Sequence, residues 1–152
     1  MGGANPPSWS RMYIRQRTFI SIMIWTIIVN DSPYGIEKPW NAFRLCSTSA
    51  SEGIKIQLFL MGDAVVSAKK GQSTPQGSYN MEKMLGALLM KGVDVKVCGT
   101  CINARGLTIP ELVDGTELGS MKILVDWISH SDKVISFYIF QTHFLRSVLY
   151  TH

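Results

Sequence analysis

Two cysteines three positions apart, Cys98 and Cys101, carry the plainest chemistry this sequence offers. They sit in VDVKVCGTCINARG, residues 93–106. Val93, Val95 and Val97 alternate there, the period of a strand, and all are β-branched. The pattern breaks at Cys98-Gly99-Thr100-Cys101 and continues as a helical turn or loop. In open α/β sheets, ligands and chemistry gather outside the carboxyl ends of the strands. A thiol at such an end, beside a starting helix, meets free N–H groups and partial positive charge. Both favour the thiolate, which is the form that reacts. Each unit of pKa depression corresponds to about 1.4 kcal/mol in favour of the charged form. The N–H groups of Gly99, Thr100 and Cys101 and the guanidinium of Arg105 are the expected sources, and Arg105 reads equally well as a surface ion-pair partner. Gly99 allows an incoming group to approach the backbone closely.

Four readings of this CxxC compete. As a zinc site it supplies only two ligands, and the chain has no second CxxC and no spaced His pair to complete four. As a thioredoxin-type redox pair it has the right spacing. However, such pairs follow an early strand and open a long helix, whereas here Gly106 and Pro110 come soon after. The bland reading is two inert thiols in a core. The fourth is a persulfide carrier, a thiolate that accepts a sulfane sulfur and hands it to another thiol.

The elements that must position the pair alternate strand and helix. The apolar run FISIMIWTIIV resembles the short hydrophobic core of a signal peptide, with Arg11, Arg15 and Arg17 before it. No small-x-small cleavage site follows, the run is too short to span a bilayer comfortably, and a first buried strand over residues 23–29 fits better. NDSPYG, residues 30–35, is a turn cluster. A helix follows over residues 37–50, with Pro39 tolerated in its first turn and Ala42, Leu45 and Cys46 on its apolar face. IKIQLFLM, residues 54–61, is a second strand closed by Gly62-Asp63, and residues 64–68 suit a short helical turn.

KKGQSTPQGS, residues 69–78, reads as a mobile, solvated loop. Residues 80–91 form the clearest helix, with Met81, Met84, Leu85, Leu88 and Leu89 on one face. After CGTC come a single helical turn in LTIPELVDG, a short fourth strand over residues 116–118 and a helix capped by Ser120. A last strand, KVISF, spans residues 133–137. This order calls for an α/β fold with a mostly parallel sheet covered on both faces. Asn30, Asp31, Tyr34, Gly62 and Asp63 then fall at neighbouring strand ends and can line the same pocket as the thiols. Asp31 would oppose a thiolate nearby, so it better serves N–H groups or the next helix.

At 152 residues the chain suits one domain with a real core. Residues 1–21 read as a disordered or extra leader, 22–138 as the domain and 139–152 as a tail, helical if it packs. His130, His143 and His152 read as structural or exposed. The formal charge of +4 comes from dispersed residues, with no Lys/Arg stripe interleaved with aromatics. Nucleic acid is therefore not an expected partner. Three cysteines make no disulfide framework, and free thiols suit a reducing compartment, here the cytoplasm. No G-x-G-x-x-G or Walker sequence is present to bind phosphates.

From about Trp25 to Phe137 the chain resembles the DsrE/DsrF-like family of sulfur-relay and sulfur-oxidation proteins, which includes TusD-type subunits and small stand-alone members. The resemblance rests on the strand ending in NDSPYG, the helix start EKPWNAFRL, FLMGDAV, NMEKML, VKVCGTCINARG, LGSMKILVDWI and KVISF. It implies a three-layer α/β/α fold of flavodoxin-like architecture with a five-stranded, mainly parallel sheet, and assembly as a homotrimer or homohexamer. It also implies a persulfide on the cysteine ending the third strand. Counted back from Arg105-Gly106, that cysteine matches Cys98, with Cys101 as a resolving thiol. Such transfer needs no metal or nucleotide cofactor; its partners are donor and acceptor proteins or small persulfides, and no membrane is involved. The alternatives are a non-catalytic oligomeric module holding a small ligand at the strand ends, and a Cys98–Cys101 thiol–disulfide switch.

Overall fold

The apolar run IWTIIV, Ile24–Val29, forms β1, the strand on which the sheet is built. The structure, a computed structural model, describes residues 22–138; residues 1–21 and 139–152, expected as a leader and a tail and including His143 and His152, lie outside the described residues. Four more strands follow: β2 (Lys55–Leu60), β3 (Asp94–Cys98), β4 (Glu117–Gly119) and β5 (Lys133–Phe137). Their order is β4-β3-β2-β1-β5, and every neighbouring pair is parallel. Parallel neighbours need crossovers. These are α1 (Lys38–Ser51), α2 (Met81–Met90), the short α3 (Gly99–Ala104) and α4 (Met121–His130). The first three crossovers step the sheet one way from β1. The fourth, through α4, returns past β1 to the opposite edge.

Side-chain alternation sorts the two faces of the sheet. Ile27, Val29, Ile56, Leu58, Leu60, Val95 and Val97 are all buried, and α1, packed on α2, lies against β1 and β2. On the other face Phe59 meets Trp127 of α4 edge-on, with ring centroids 6.0 Å apart. Fully burying a side chain such as Phe59 contributes about 1.5–3 kcal/mol. Gly119 lies against the same ring; a Cβ there would come 2.6 Å from Phe59 Cε2, so only glycine lets β4 close on β3. This face also buries polar groups that hydropathy patterning does not reveal. The Thr26 hydroxyl donates to Gln57 Oε1 at 3.1 Å and shares a 2.7 Å hydrogen bond with Ser131.

Local chemistry sets the ends of the helices. Asn80 caps α2, its side chain accepting the Lys83 N–H at 3.0 Å, and Ser120 caps α4 through Ile123 N–H at 3.3 Å. Pro39 occupies the first turn of α1. Gly62–Ala68 is a 3-10 helix, two residues longer at its start than the expected turn. The loop expected to be mobile and solvated is exposed in part but tied down. Lys69 pairs with Glu111 at 2.9 Å and Lys70 with Asp114 at 2.7 Å. The Gln72 amide donates to the carbonyls of Ser67 and Lys69. Its polar residues thus anchor the chain to its neighbours as well as meeting water. Among the described residues no helix is long and apolar enough to cross a membrane.

Candidate functional site

Three adjacent strands, β1, β2 and β3, end on one side of the molecule, at Val29, Leu60 and Cys98. Cys98 is the last residue of β3 and caps α3, its sulfur accepting the Cys101 N–H at 3.3 Å. It is only 5% exposed. Cys101, on the first turn of α3, is half-buried, and its sulfur accepts the Gly62 N–H at 3.3 Å. Gly62 begins the 3-10 helix after β2, and the next turn of that helix is fixed by the Ala64 N–H donating to the Asn30 carbonyl at 3.1 Å. The ends of all three strands therefore meet around the thiol pair. Both thiols are free.

Burial pushes the Cys98 thiol above its ordinary pKa, and the neighbouring Cys101 sulfur adds to the rise; the N–H groups of Cys101 and Thr100 act against it. This reverses the expected depression. The N–H groups are in place, but in an apolar wall they do not outweigh the loss of solvent. Arg105 does not supply the missing charge. Its Nε and Nη2 bind Asp63 Oδ1 at 3.1 and 2.6 Å, and its Nη1 donates to the Cys101 carbonyl at 2.9 Å. Of its two readings, ion-pair partner is the one realised: Arg105 clamps α3 to the turn that carries Gly62. Cys46 is buried in α1, and its thiol is pushed up to about 12 by desolvation.

A cleft of about 710 Å³ opens onto the pair, lined by Cys98, Gly99, Thr100 and Cys101 on one side and by Leu118, Gly119, Ser120, Met121 and Ile123 on the other. The second wall has no local signature in the sequence. Its apolar members belong to a short edge strand and a helix start, and their exposure, Leu118 and Met121 both being exposed, is visible only in the fold. Asn30, Asp31, Gly62, Asp63 and Arg105, expected at the same pocket, do not line this cleft, because it opens between α3 and β4 rather than over the ends of β1 and β2; the Asn30 carbonyl holds the Ala64 N–H, and Asp63 is paired with Arg105. Asp31 lies 3.7 Å from Lys38.

Tyr34 departs from the expectation as well. It does not line the thiol cleft. Its φ of +67° turns it toward α2, where its hydroxyl accepts the Met81 N–H at 3.0 Å and donates to Gln72. Its ring stacks on Tyr79 with centroids 5.6 Å apart. Tyr34, Gln72 and Tyr79 border a separate cavity of about 570 Å³. A turn cluster such as NDSPYG fixes the chain reversal but not which way its aromatic residue is thrown.

The relatives of this chain carry the same unit. It is 38% identical to the protein YchN of Escherichia coli over 113 residues, 73% of this chain and 96% of that one. It is 38% identical over 116 residues to MK0008 of Methanopyrus kandleri, described only as uncharacterized, covering 76% of this chain and 95% of that one. The crystal structure of the E. coli YchN protein superposes with a TM-score of 0.71 at 37% identity, covering 76% of this chain and 99% of that one. The Methanobacterium thermoautotrophicum protein MTH1491, 16% identical with a TM-score of 0.56, shares the fold over 75% of this chain and 97% of that one. The model of the DsrE/DsrF-like family matches residues 23–137, from the start of β1 to the end of β5 and across the whole cleft, and the chain belongs to that family.

Proposed function

We propose that this protein carries sulfane sulfur as a cysteine persulfide on its CGTC segment and passes it to an acceptor thiol. The observation that carries the reading is the pairing of a sheltered thiol, Cys98, with a half-buried thiol, Cys101, at one strand end facing an open cleft. Membership in the DsrE/DsrF-like family, which includes sulfur-relay proteins, supports it. In the transfer, a cysteine thiolate attacks the outer sulfur of a donor persulfide, R–S–SH. A new S–S bond forms, the old one breaks, and R–S⁻ leaves and takes up a proton. The acceptor thiol repeats the exchange in the opposite sense, so no net oxidation or reduction occurs. Cys98 holds the persulfide, out of contact with bulk water and stray thiols, and Cys101 assists in loading or release.

Donor and acceptor are thiol or persulfide proteins or small persulfides, in the reducing cytoplasm. Assembly as a homotrimer or homohexamer belongs to the same reading. It is supported by the exposed apolar residues Met121, Val125 and Ile128, which follow one face of α4 beside the cleft. Peptide mass spectrometry after incubating the reduced protein with a persulfide donor tests the function. One added sulfur on Cys98, removed by reductant, is the expected result. A folded protein that takes up no sulfur on either thiol from several donors would end it.

The adjacency of the two sulfurs favours one second reading, a thiol–disulfide switch. In that case the two thiols give two electrons and two protons to a disulfide oxidant. A stable, reversible Cys98–Cys101 disulfide in a redox titration, with no persulfide on either residue, would identify it.

A further inference from the structure

The two thiols of the CGTC segment are not equivalent. Displacement at sulfur needs the attacking, transferred and leaving sulfurs nearly in line, so the attacking sulfur must be open to approach. Cys98, at the buried end of β3, is 5% exposed; Cys101, one turn along α3, is half-buried on the cleft wall. Each sulfur accepts a backbone N–H, but from different places. Cys98 takes that of Cys101, within its own turn, whereas Cys101 takes that of Gly62, from the end of another strand. Gly62 is suited to this by having no side chain. Its φ is +56°, the left-handed region, and a Cβ there would stand 3.1 Å from the Asn30 carbonyl oxygen. The Arg105–Asp63 contact and the bond from Arg105 to the Cys101 carbonyl hold the turn and α3 in this register.

We infer that Cys101 is the first acceptor of incoming sulfur, that the Gly62 N–H positions its sulfur atom, and that the sulfur then passes to the sheltered Cys98. The inference rests on the persulfide function proposed above. Burial, which holds the proton on Cys98, supports the same order. In the first step the Cys101 thiolate attacks the outer sulfur of R–S–SH, giving Cys101–S–SH and R–S⁻, which is protonated by water. In the second, the Cys98 sulfur attacks the outer sulfur of Cys101–S–SH, and its proton goes to the departing Cys101 sulfur. Cys98–S–SH and Cys101–SH result, and no oxidant is needed in either step.

The test follows two probes over time by peptide mass spectrometry on the reduced full chain: iodoacetamide, which reads thiolate reactivity, and cysteine hydropersulfide, which reads sulfur uptake. In the unmodified protein Cys101 should be alkylated at least tenfold faster than Cys98. Cys98→Ser should take up sulfur on Cys101 at nearly the original rate, and Cys101→Ser should load Cys98 at least tenfold more slowly. Gly62→Ala should lower the ratio of Cys101 to Cys98 alkylation several-fold while Cys46 stays unlabelled, whereas general loosening would label Cys46 too. Faster alkylation of Cys98 in the unmodified protein, or loading of Cys101→Ser at the original rate, overturns the inference. No sulfur uptake by the unmodified protein, with Cys101 still alkylated first, overturns instead the persulfide function on which it rests. The alkylation order needs no variant, so a failure of Gly62→Ala to fold leaves the decision intact.

Discussion

The Arg105 guanidinium holds a single oxygen of Asp63 through two nitrogens, at 2.6 and 3.1 Å, and so ties the helix after β3 to the turn after β2. Asp63 is 65% exposed and Arg105 31%, so the pair contributes only about 0.5–1 kcal/mol to stability. Its larger effect is on geometry, because the elements it joins carry Cys101 and Gly62. Asp63→Asn should lower the free energy of unfolding by about that amount in urea, with an unchanged denaturant slope. It should also slow alkylation of Cys101 relative to Cys98. A stability loss well above 2 kcal/mol, or an unchanged alkylation ratio, would contradict this account of the contact.

Gly119 bears on the other wall of the cleft. A methyl group there would meet Phe59 Cε2 at 2.6 Å, Phe59 Cζ at 2.8 Å and Lys96 Cβ at 3.0 Å. The Phe59 ring cannot retreat freely, since it is fully buried and held edge-on by Trp127. Gly119→Ala should therefore destabilise by about 1–3 kcal/mol, the usual cost of overpacking. Chemical denaturation checks it, and a neutral result would mean that β4 can shift outward. Gly99→Ala is the matched control, because a Cβ there has its nearest neighbour, the Gly119 carbonyl oxygen, at 3.7 Å.

The chain order of strand, turn and helix was legible because it is written in local patterns. KVISF forms β5 over Lys133–Phe137, the span expected, and Ser120 and Asn80 stand at the caps of α4 and α2. Apolar runs of branched residues gave the buried parallel strands, since parallel sheets bury both faces. The thiol pair at the end of β3 was legible for the same reason. What stayed hidden depends on contacts between distant segments. Arg105 and Asp63 lie 42 positions apart, and nothing local announces that the guanidinium is turned from the thiols. Thr26, Gln57 and Ser131 look like solvent-facing residues until β1, β2 and the end of α4 are brought together. The direction of Tyr34, into a cavity away from the thiols, follows from a positive φ that a turn composition does not specify.

Glu111 makes the loop at Lys69 sensitive to acid. The hydrogen bond from Lys69, with others from Thr108, lowers its carboxyl from 4.5 to about 2. A carboxyl with a depressed folded-state pKa stabilises the fold above its unfolded pKa, and that stabilisation is lost as pH falls through the folded value. The contribution of Glu111 is thus complete above about pH 4.5 and fades toward pH 2. Carbon-detected NMR titration should show this carboxyl near 2, returning toward 4.5 in Lys69→Met. In Glu111→Gln the decline of stability between those pH values should flatten, with faster amide exchange in residues 69–72. An unchanged titration in Lys69→Met would show that the Thr108 bonds alone hold the carboxylate.

Cys46 should report global unfolding. Its side chain is fully buried in α1 among Ala42, Phe43 and the strands, and desolvation pushes its thiol up to about 12. Only the thiolate reacts, and burial both keeps the proton on this thiol and shields it from reagents. In the folded protein an aromatic disulfide reagent should modify no more than the other two thiols, and a Cys98→Ser/Cys101→Ser double variant should be silent. Because Cys46 must leave the core to ionise, its labelling rate in that variant should rise with urea in step with the loss of helical circular dichroism. The same slope from both probes is expected if α1 opens only with the whole domain. Labelling well below the unfolding transition would show that α1 detaches from β1 and β2 by itself, and would place the weakest part of the fold opposite α4 rather than at the cleft.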